Sequence, residues 1–244
     1  MSVIVAESAG FCFGVNRAVE LVEQAAKQGN RVVTLGPIIH NRHAVAHFES
    51  MGVKVVATPK EVSPENTVII RSHGVTRSVY EQLEASGARI IDATCPFVKR
   101  IHSIVSSAEA EGRLPVIIGT PSHPEVEGIA GWCQNCMVFA SCEELQKWAK
   151  NADVARDLPI CMVCQTTSTE YLWNSCVEFA KKQFTNLKIF DTICKATESR
   201  QSEAAQLSTI CQAMVVVGDT HSSNTGRLAM ICREHCDKVV LVDN

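Results

Sequence analysis

With 244 residues, 46% hydrophobic and 20% charged, the chain has the apolar content to bury a core in one or two ordinary domains. A net charge of −3 with no basic run excludes a nucleic-acid footprint, and no apolar run approaches membrane-spanning length, which excludes a helical membrane span. Twelve cysteines, in a chain that opens as a strand and not as a signal peptide, speak for reduced thiols or a metal centre in the cytoplasm and against a disulfide framework.

Short β-branched runs alternate with amphipathic stretches along the whole chain. A strand is expected at 3–6, followed by Cys12 and a helix over 16–27. The strand at 31–35 ends in Gly36-Pro-Ile-Ile-His40. Strands at 53–57 and 67–71 follow, the second opening onto Arg71-Ser72-His73-Gly74, with a helix over 77–86. The strand at 89–92 leads to Asp92-Ala-Thr-Cys95 and a helix over 98–111. The strand at 115–119 ends in Gly119-Thr-Pro-Ser-His123-Pro124-Glu125. Strands at 137–140 and 159–163 come next, the latter running into Gln165-Thr166-Thr167-Ser168 and a helix over 171–183. The strand at 187–190 leads to Asp191-Thr-Ile-Cys194 and a helix over 198–210. The strand at 213–218 ends in Gly218-Asp-Thr-His221, then Ser222-Ser223-Asn224, a helix over 225–235 and a strand at 238–242. This alternation predicts parallel sheets built from βαβ units, with no linker between domains.

Cys12, Cys95 and Cys194 each stand between a strand and a helix, at intervals of 83 and 99 residues. A strand ending in Gly followed shortly by His also recurs three times. Three α/β units are therefore expected: 13–95, 96–193, and 194–244 together with 1–12. The third is shorter than its sisters by roughly thirty residues, as repeats of like length would have it, so it reads as truncated at its C-terminal side. The strand at 3–6 is expected to complete the third sheet. In parallel sheets ligands bind beyond the strand C-termini, where all these polar groups fall.

Three like units around an axis bring three thiolates together. Three thiolates without a fourth partner suit an iron–sulfur cluster that keeps one iron open. Rival readings exist. Cys133-Gln-Asn-Cys136 and Cys161-Met-Val-Cys164 resemble a four-cysteine zinc site, but two residues three apart on a strand point to opposite faces. Cys194 and Arg200 have the spacing of a cysteine phosphatase loop, without the glycines that wrap a phosphate. His40, His43 and His47 have metal-like spacing, yet capping or solvated histidines explain them better. Ser222-Ser223-Asn224 alone is an ordinary helix cap; with His40, His73 and His123 it becomes a ring of donors able to hold a phosphate. Glu125 is the sharpest acid/base candidate, since desolvation and nearby negative charge would raise its pKa.

These motifs resemble the LytB/IspH family of 4-hydroxy-3-methylbut-2-enyl diphosphate reductases. The resemblance runs through nearly the whole chain, on Gly10-Phe-Cys12-Phe-Gly-Val, Gly36-Pro-Ile-Ile-His40-Asn, Ile70-Arg-Ser-His73-Gly74-Val, Asp92-Ala-Thr-Cys95-Pro, His123-Pro-Glu125, Gln165-Thr166-Thr167, Asp191-Thr-Ile-Cys194-Lys-Ala-Thr and Ser222-Ser223-Asn224. It implies a trefoil-like α/β fold whose three units surround a central [4Fe–4S] cluster, one per chain. Cys12, Cys95 and Cys194 match its ligands. His40, His73, His123, Ser222, Ser223 and Asn224 match the residues that hold the diphosphate, Thr166 the hydroxyl that orders the substrate alcohol, and Glu125 the proton-delivering carboxylate. The implied reaction removes the hydroxyl of an allylic diphosphate with two electrons and two protons, giving isopentenyl and dimethylallyl diphosphate. The electrons would come from a ferredoxin- or flavodoxin-type donor. Neutral donors are expected to suit that pocket better than several lysines. The family's further turn, Ser-Gly-Ala-Ser-Thr-Pro, is not in this sequence, in keeping with the short third unit.

Overall fold

The computed structural model describes residues 2–29, 31–151 and 154–243. Its first layer holds α1 (Phe13–Lys27), β1 (Arg31–Leu35), α2 (Arg42–Ser50), β2 (Lys54–Val56), β3 (Asn66–Ile70), α3 (Arg77–Ala85) and β4 (Arg89–Asp92). The four strands form one parallel sheet in the order β2-β1-β3-β4. The second layer repeats the plan with α4 (Pro96–Ala110), β5 (Leu114–Ile118), α5 (Pro124–Ala130), β6 (Met137–Phe139), α6 (Cys142–Asn151), β7 (Ile160–Cys164), α7 (Glu170–Gln183) and β8 (Leu187–Ile189). Its order is β6-β5-β7-β8, again parallel. The third holds α8 (Lys195–Ile210), β9 (Met214–Val217), α9 (Ser223–His235) and β10 (Val239–Val242), with β9 and β10 in a parallel pair. The ten strands lie within one or two residues of expected positions.

Helices cover both faces of the first two sheets, so their central strands read as unbroken apolar runs. In β7 every residue is buried. Ile160, Met162 and Cys164 face Leu145 of α6 and Trp173, Cys176 and Ala180 of α7. Val163 faces the other way with Ile117, against Ile101 and Val105 of α4 and Val126 and Ile129 of α5. Period-two alternation divides one strand between two cores. Ile69, Ile117 and Ile118 are fully buried; truncating any of them to Ala costs about 2–5 kcal/mol. The central pairs share one register, Leu35 beside Ile70 and Ile118 beside Cys164, so the loops that follow leave each sheet at the same level.

One expected strand is absent. Residues 2–6 form no strand, and Val3, Ile4 and Val5 are exposed. The cause lies in strand order. The strands preceding Cys95 and Cys194 are β4 and β8, which pair with β3 and β7. The third sheet has no counterpart of β3 or β7 among the described residues, so a strand leading to Cys12 finds no partner. Instead, Glu203 of α8 accepts bonds from the Glu7 and Ser8 amides, and Arg200 donates to the Ser8 and Gly10 carbonyls.

Candidate functional site

Three helices begin at the three cysteines. Cys12, Cys95 and Cys194 are the N-cap residues of α1, α4 and α8. All three are half-buried. The first turn of a helix carries free N–H groups and a partial positive charge, so it favours an anion. The Thr197 amide donates to the Cys194 sulfur at 3.4 Å, and the Phe97 and Val98 amides lie close enough to Cys95 to act on its thiol. Burial raises the Cys95 pKa, those amides lower it, and the neighbouring Cys12 and Cys194 thiols raise it again. The three sulfurs therefore share one electrostatic neighbourhood. Gly14 sits against Cys95; a Cβ there would lie 2.6 Å from its Sγ. The sulfurs do not all fall within 4.8 Å of one another, too wide for one zinc ion with bonds of about 2.3 Å. A helix N-terminus at each of the three sulfurs favours negative charge there.

A histidine cluster lies at the ends of β1, β3 and β5. The His40 and His73 ring centroids are 4.6 Å apart, and His123 lies 5.5 Å from His73 and 6.1 Å from His40. One ligand nitrogen from each comes within 4.8 Å of the others. Burial is the first cause lowering all three pKa values, His123 to about 4 and His73 well below the ordinary value. Neutral imidazoles follow at pH 7. The His123 Nδ1 accepts the Glu125 amide at 3.1 Å, which puts its ring proton on Nε2. His40 Nε2, His73 Nδ1, Asn224 Oδ1 and Arg227 Nε are buried without a partner. Each such atom costs about 1–3 kcal/mol. Their gathering marks a place that a polar ligand would complete.

The third unit closes this ring. Ser222 caps α9 by accepting the Thr225 amide, and the Ser223 hydroxyl bonds Thr167 Oγ1 at 2.9 Å across to the second unit. Asp219 is buried and its charge acts on His40. Two cations missed at the level of sequence stand here. Arg71 acts on all three histidines, and Arg227 on His123 and Glu125. The pocket is thus not built of neutral donors alone. Arg71 was visible inside the Arg71-Ser72-His73-Gly74 turn; Arg227 follows Ser223 by one helical turn, on the same face. Gly36, at φ 70°, turns the chain after β1, and a Cβ there would meet the Arg71 guanidinium at 3.1 Å.

Glu125 is buried at 3% exposure beside this ring. Its carboxylate accepts the Thr166 amide at 2.6 Å and the Thr166 hydroxyl at 2.8 Å. Burial raises its pKa; the two Thr166 bonds and the Arg227 charge hold the rise in check. Gln165 braces the turn by accepting the Thr120 amide and donating to Thr167.

The rival constellations come apart. Cys161 and Cys164 face opposite sides of β7, and burial raises their pKa to about 11 and about 12. Among the described residues, no zinc-like group joins them to Cys133 and Cys136. Arg200 is committed to the Ser8 and Gly10 carbonyls, which removes the phosphatase loop. His43 and His47 are exposed on α2, away from the cluster that His40 joins.

The family model described as LytB protein matches residues 3–244. The chain belongs to the LytB family. It is 42% identical over 245 residues to 4-hydroxy-3-methylbut-2-enyl diphosphate reductase of Caldanaerobacter subterraneus subsp. tengcongensis, covering 97% of this chain and 82% of that one. It is 37% identical over 236 residues to the enzyme of the same name from Clostridioides difficile (strain 630), covering 96% and 83%. Among solved structures, that of (E)-4-hydroxy-3-methyl-but-2-enyl diphosphate reductase, the terminal enzyme of the non-mevalonate pathway, superposes with a TM-score of 0.74 at 36% identity over 99% of this chain and 85% of that one. The Plasmodium falciparum E-1-hydroxy-2-methyl-but-2-enyl-4-diphosphate reductase gives 0.88 at 26% identity, over 96% and 73%.

Proposed function

We propose that this LytB chain is a 4-hydroxy-3-methylbut-2-enyl diphosphate reductase. It converts the (E)-allylic alcohol diphosphate to isopentenyl and dimethylallyl diphosphate, the last step of the non-mevalonate isoprenoid route. One observation carries the reading: three cysteine-capped helix N-termini share one neighbourhood in a fold that also sets unpaired ligand-binding atoms beside a buried carboxyl.

Cys12, Cys95 and Cys194 would hold a [4Fe–4S] cluster, with the α1, α4 and α8 N-termini facing its negative charge. When bound, the cluster supplies electrons one at a time and an iron able to act as a Lewis acid on the substrate oxygen. The protein's own groups do the rest. His40, His73, His123, Ser222, Ser223 and Asn224 hold the diphosphate, with Arg71 and Arg227 offsetting its charge. Fixing that end orients the allylic alcohol and converts a bimolecular encounter into an intramolecular one. Hydroxide leaves poorly, so it must leave as water. Glu125, pushed toward its protonated form by burial, supplies that proton, and Thr166 orients the carboxyl and the alcohol. Over the whole reaction, alcohol, two electrons and two protons become alkene and water.

The electrons come from a ferredoxin- or flavodoxin-type donor, and the setting is the cytoplasm. No helix among the described residues is long and apolar enough to cross a membrane. The units run over 13–95, 96–193 and 194–244 with 1–12; the bonds from α8 to residues 7–10 support the last grouping.

Anaerobic purification with iron, sulfide and zinc analysis tests the reading. About four irons and four sulfides per chain, lost in Cys12→Ser, are expected. One zinc lost in Cys133→Ser, without iron, would overturn it.

A further inference from the structure

A second pair of thiols lies outside the site. Cys133 and Cys136 are half-buried in the turn that follows α5, and both pack against the core formed by Ile101, Val105, Val126 and Ile129. The Cys133 sulfur also donates to the Ala130 carbonyl at 3.4 Å. The turn between them is held in place: Glu109 accepts the Gln134 and Asn135 amides at 2.6 and 2.9 Å. Arg77 and Glu109 are the charged groups facing the pair.

This turn connects to the site by two routes. α5 spans only two helical turns and carries Glu125 in its first; its N-cap is His123. The second route runs through Trp132, next to Cys133. Its indole N–H donates to the Val75 carbonyl at 2.9 Å, and its ring stacks on His102 at 5.2 Å and 18°. His102 presses on Gly74, where a Cβ would lie 2.7 Å from its ring. Gly74 directly follows His73. Arg77 covers the other side of Trp132 at 5.3 Å and donates its amide to the Gly131 carbonyl.

We infer that Cys133 and Cys136 form a reversible disulfide site whose state is transmitted through Trp132 and His102 to the His73 turn. The oxidant is a low-molecular-weight disulfide of the glutathione class. One protein thiolate, Cys136, attacks a sulfur of that disulfide and expels one thiolate, which takes a proton. Cys133, giving its proton to water, attacks the Cys136 sulfur of the mixed disulfide and expels the second. Two protein thiols lose two electrons, and one small disulfide becomes two thiols. The neighbouring Cys133 thiol lowers the pKa of Cys136, which favours Cys136 as the attacking thiolate. Closing the bond draws the turn tighter and pulls on Trp132. The transmission to diphosphate binding rests on the roles proposed above for the histidines; the disulfide does not.

The test treats the anaerobic holoenzyme with oxidised glutathione, then with dithiothreitol. Differential alkylation with peptide mapping should show Cys133 and Cys136 blocked together by oxidation and freed by reduction. Amide hydrogen exchange of residues 71–76 should change between the two forms. Affinity for inorganic diphosphate should fall by about fivefold or more on oxidation, the lower end of ordinary coupling between sites. C133S should abolish the exchange change and the affinity loss. Mapping that finds both thiols free overturns the site without any need of a variant. A disulfide that leaves exchange at 71–76 unchanged overturns the transmission. Diphosphate that binds neither form counts against the proposed histidine roles, while mapping and exchange still decide this inference.

Discussion

Replacing Glu125 by Gln separates proton delivery from packing. The carboxylate accepts two bonds from Thr166, one from its amide and one from its hydroxyl. A carboxamide has the same shape and meets both groups. Its oxygen accepts the amide, and its NH2 donates to a hydroxyl that rotates to accept. No buried donor is orphaned, so the cost in stability stays below about 1 kcal/mol, or about 2–4 °C in melting temperature for a chain of this size. Alanine instead leaves the Thr166 amide unpaired beside a cavity; the orphaned donor alone costs about 1–3 kcal/mol. Iron and sulfide content should match wild type in the Gln variant. Turnover should fall by about 10²–10⁴, the ordinary contribution of a positioned proton donor. Single-turnover assays with a strong artificial reductant read this without involving the electron carrier. Turnover within about tenfold of wild type, at full cluster content, refutes Glu125 as the proton source.

Gly14→Ala should reduce cluster incorporation, because its methyl would stand 2.6 Å from the Cys95 sulfur; wild-type iron content in the purified variant would sink the close-approach argument. Arg227→Met should raise the substrate KM and move the alkaline limb of turnover to higher pH, since a charge that holds the Glu125 pKa down is removed; a pH profile that superposes on wild type would exclude that contact. Folded His123 titrates near about 4, against 6.5 when unperturbed, so between these values the unfolded chain holds the extra proton. Stability should therefore fall as pH drops through that window, less so in His123→Asn. Equal losses of melting temperature in both proteins would contradict it.

Local pattern revealed much of this molecule. Short β-branched runs and Gly-marked turns put the strands of the first two sheets near their observed places, because strand and turn preferences are written into neighbouring residues. The repeated strand–Cys–helix and strand–Gly–His frames pointed to the correct sheet edge, where parallel strands leave their loops. Pairing is a different matter. The run at 3–6 has every local mark of a strand and forms none, since a strand exists only against a partner, and partners are set by sheet order. The two Cys-x-x-Cys pairs look alike in sequence; a β-strand points one pair to opposite faces, and a turn held by Glu109 sets the other against one core.

What the sequence by itself determined is the place of the ten strands and of six of the helices among the described residues, and which residues stand at the ends of those strands. Only the tertiary structure decided that His40, His73 and His123 meet, that Arg71 and Arg227 flank them, and that Thr166 locks Glu125 from 41 residues away. Such contacts join units far apart in the chain. They depend on how the buried faces of whole sheets and helices pack together, which no short stretch of sequence encodes.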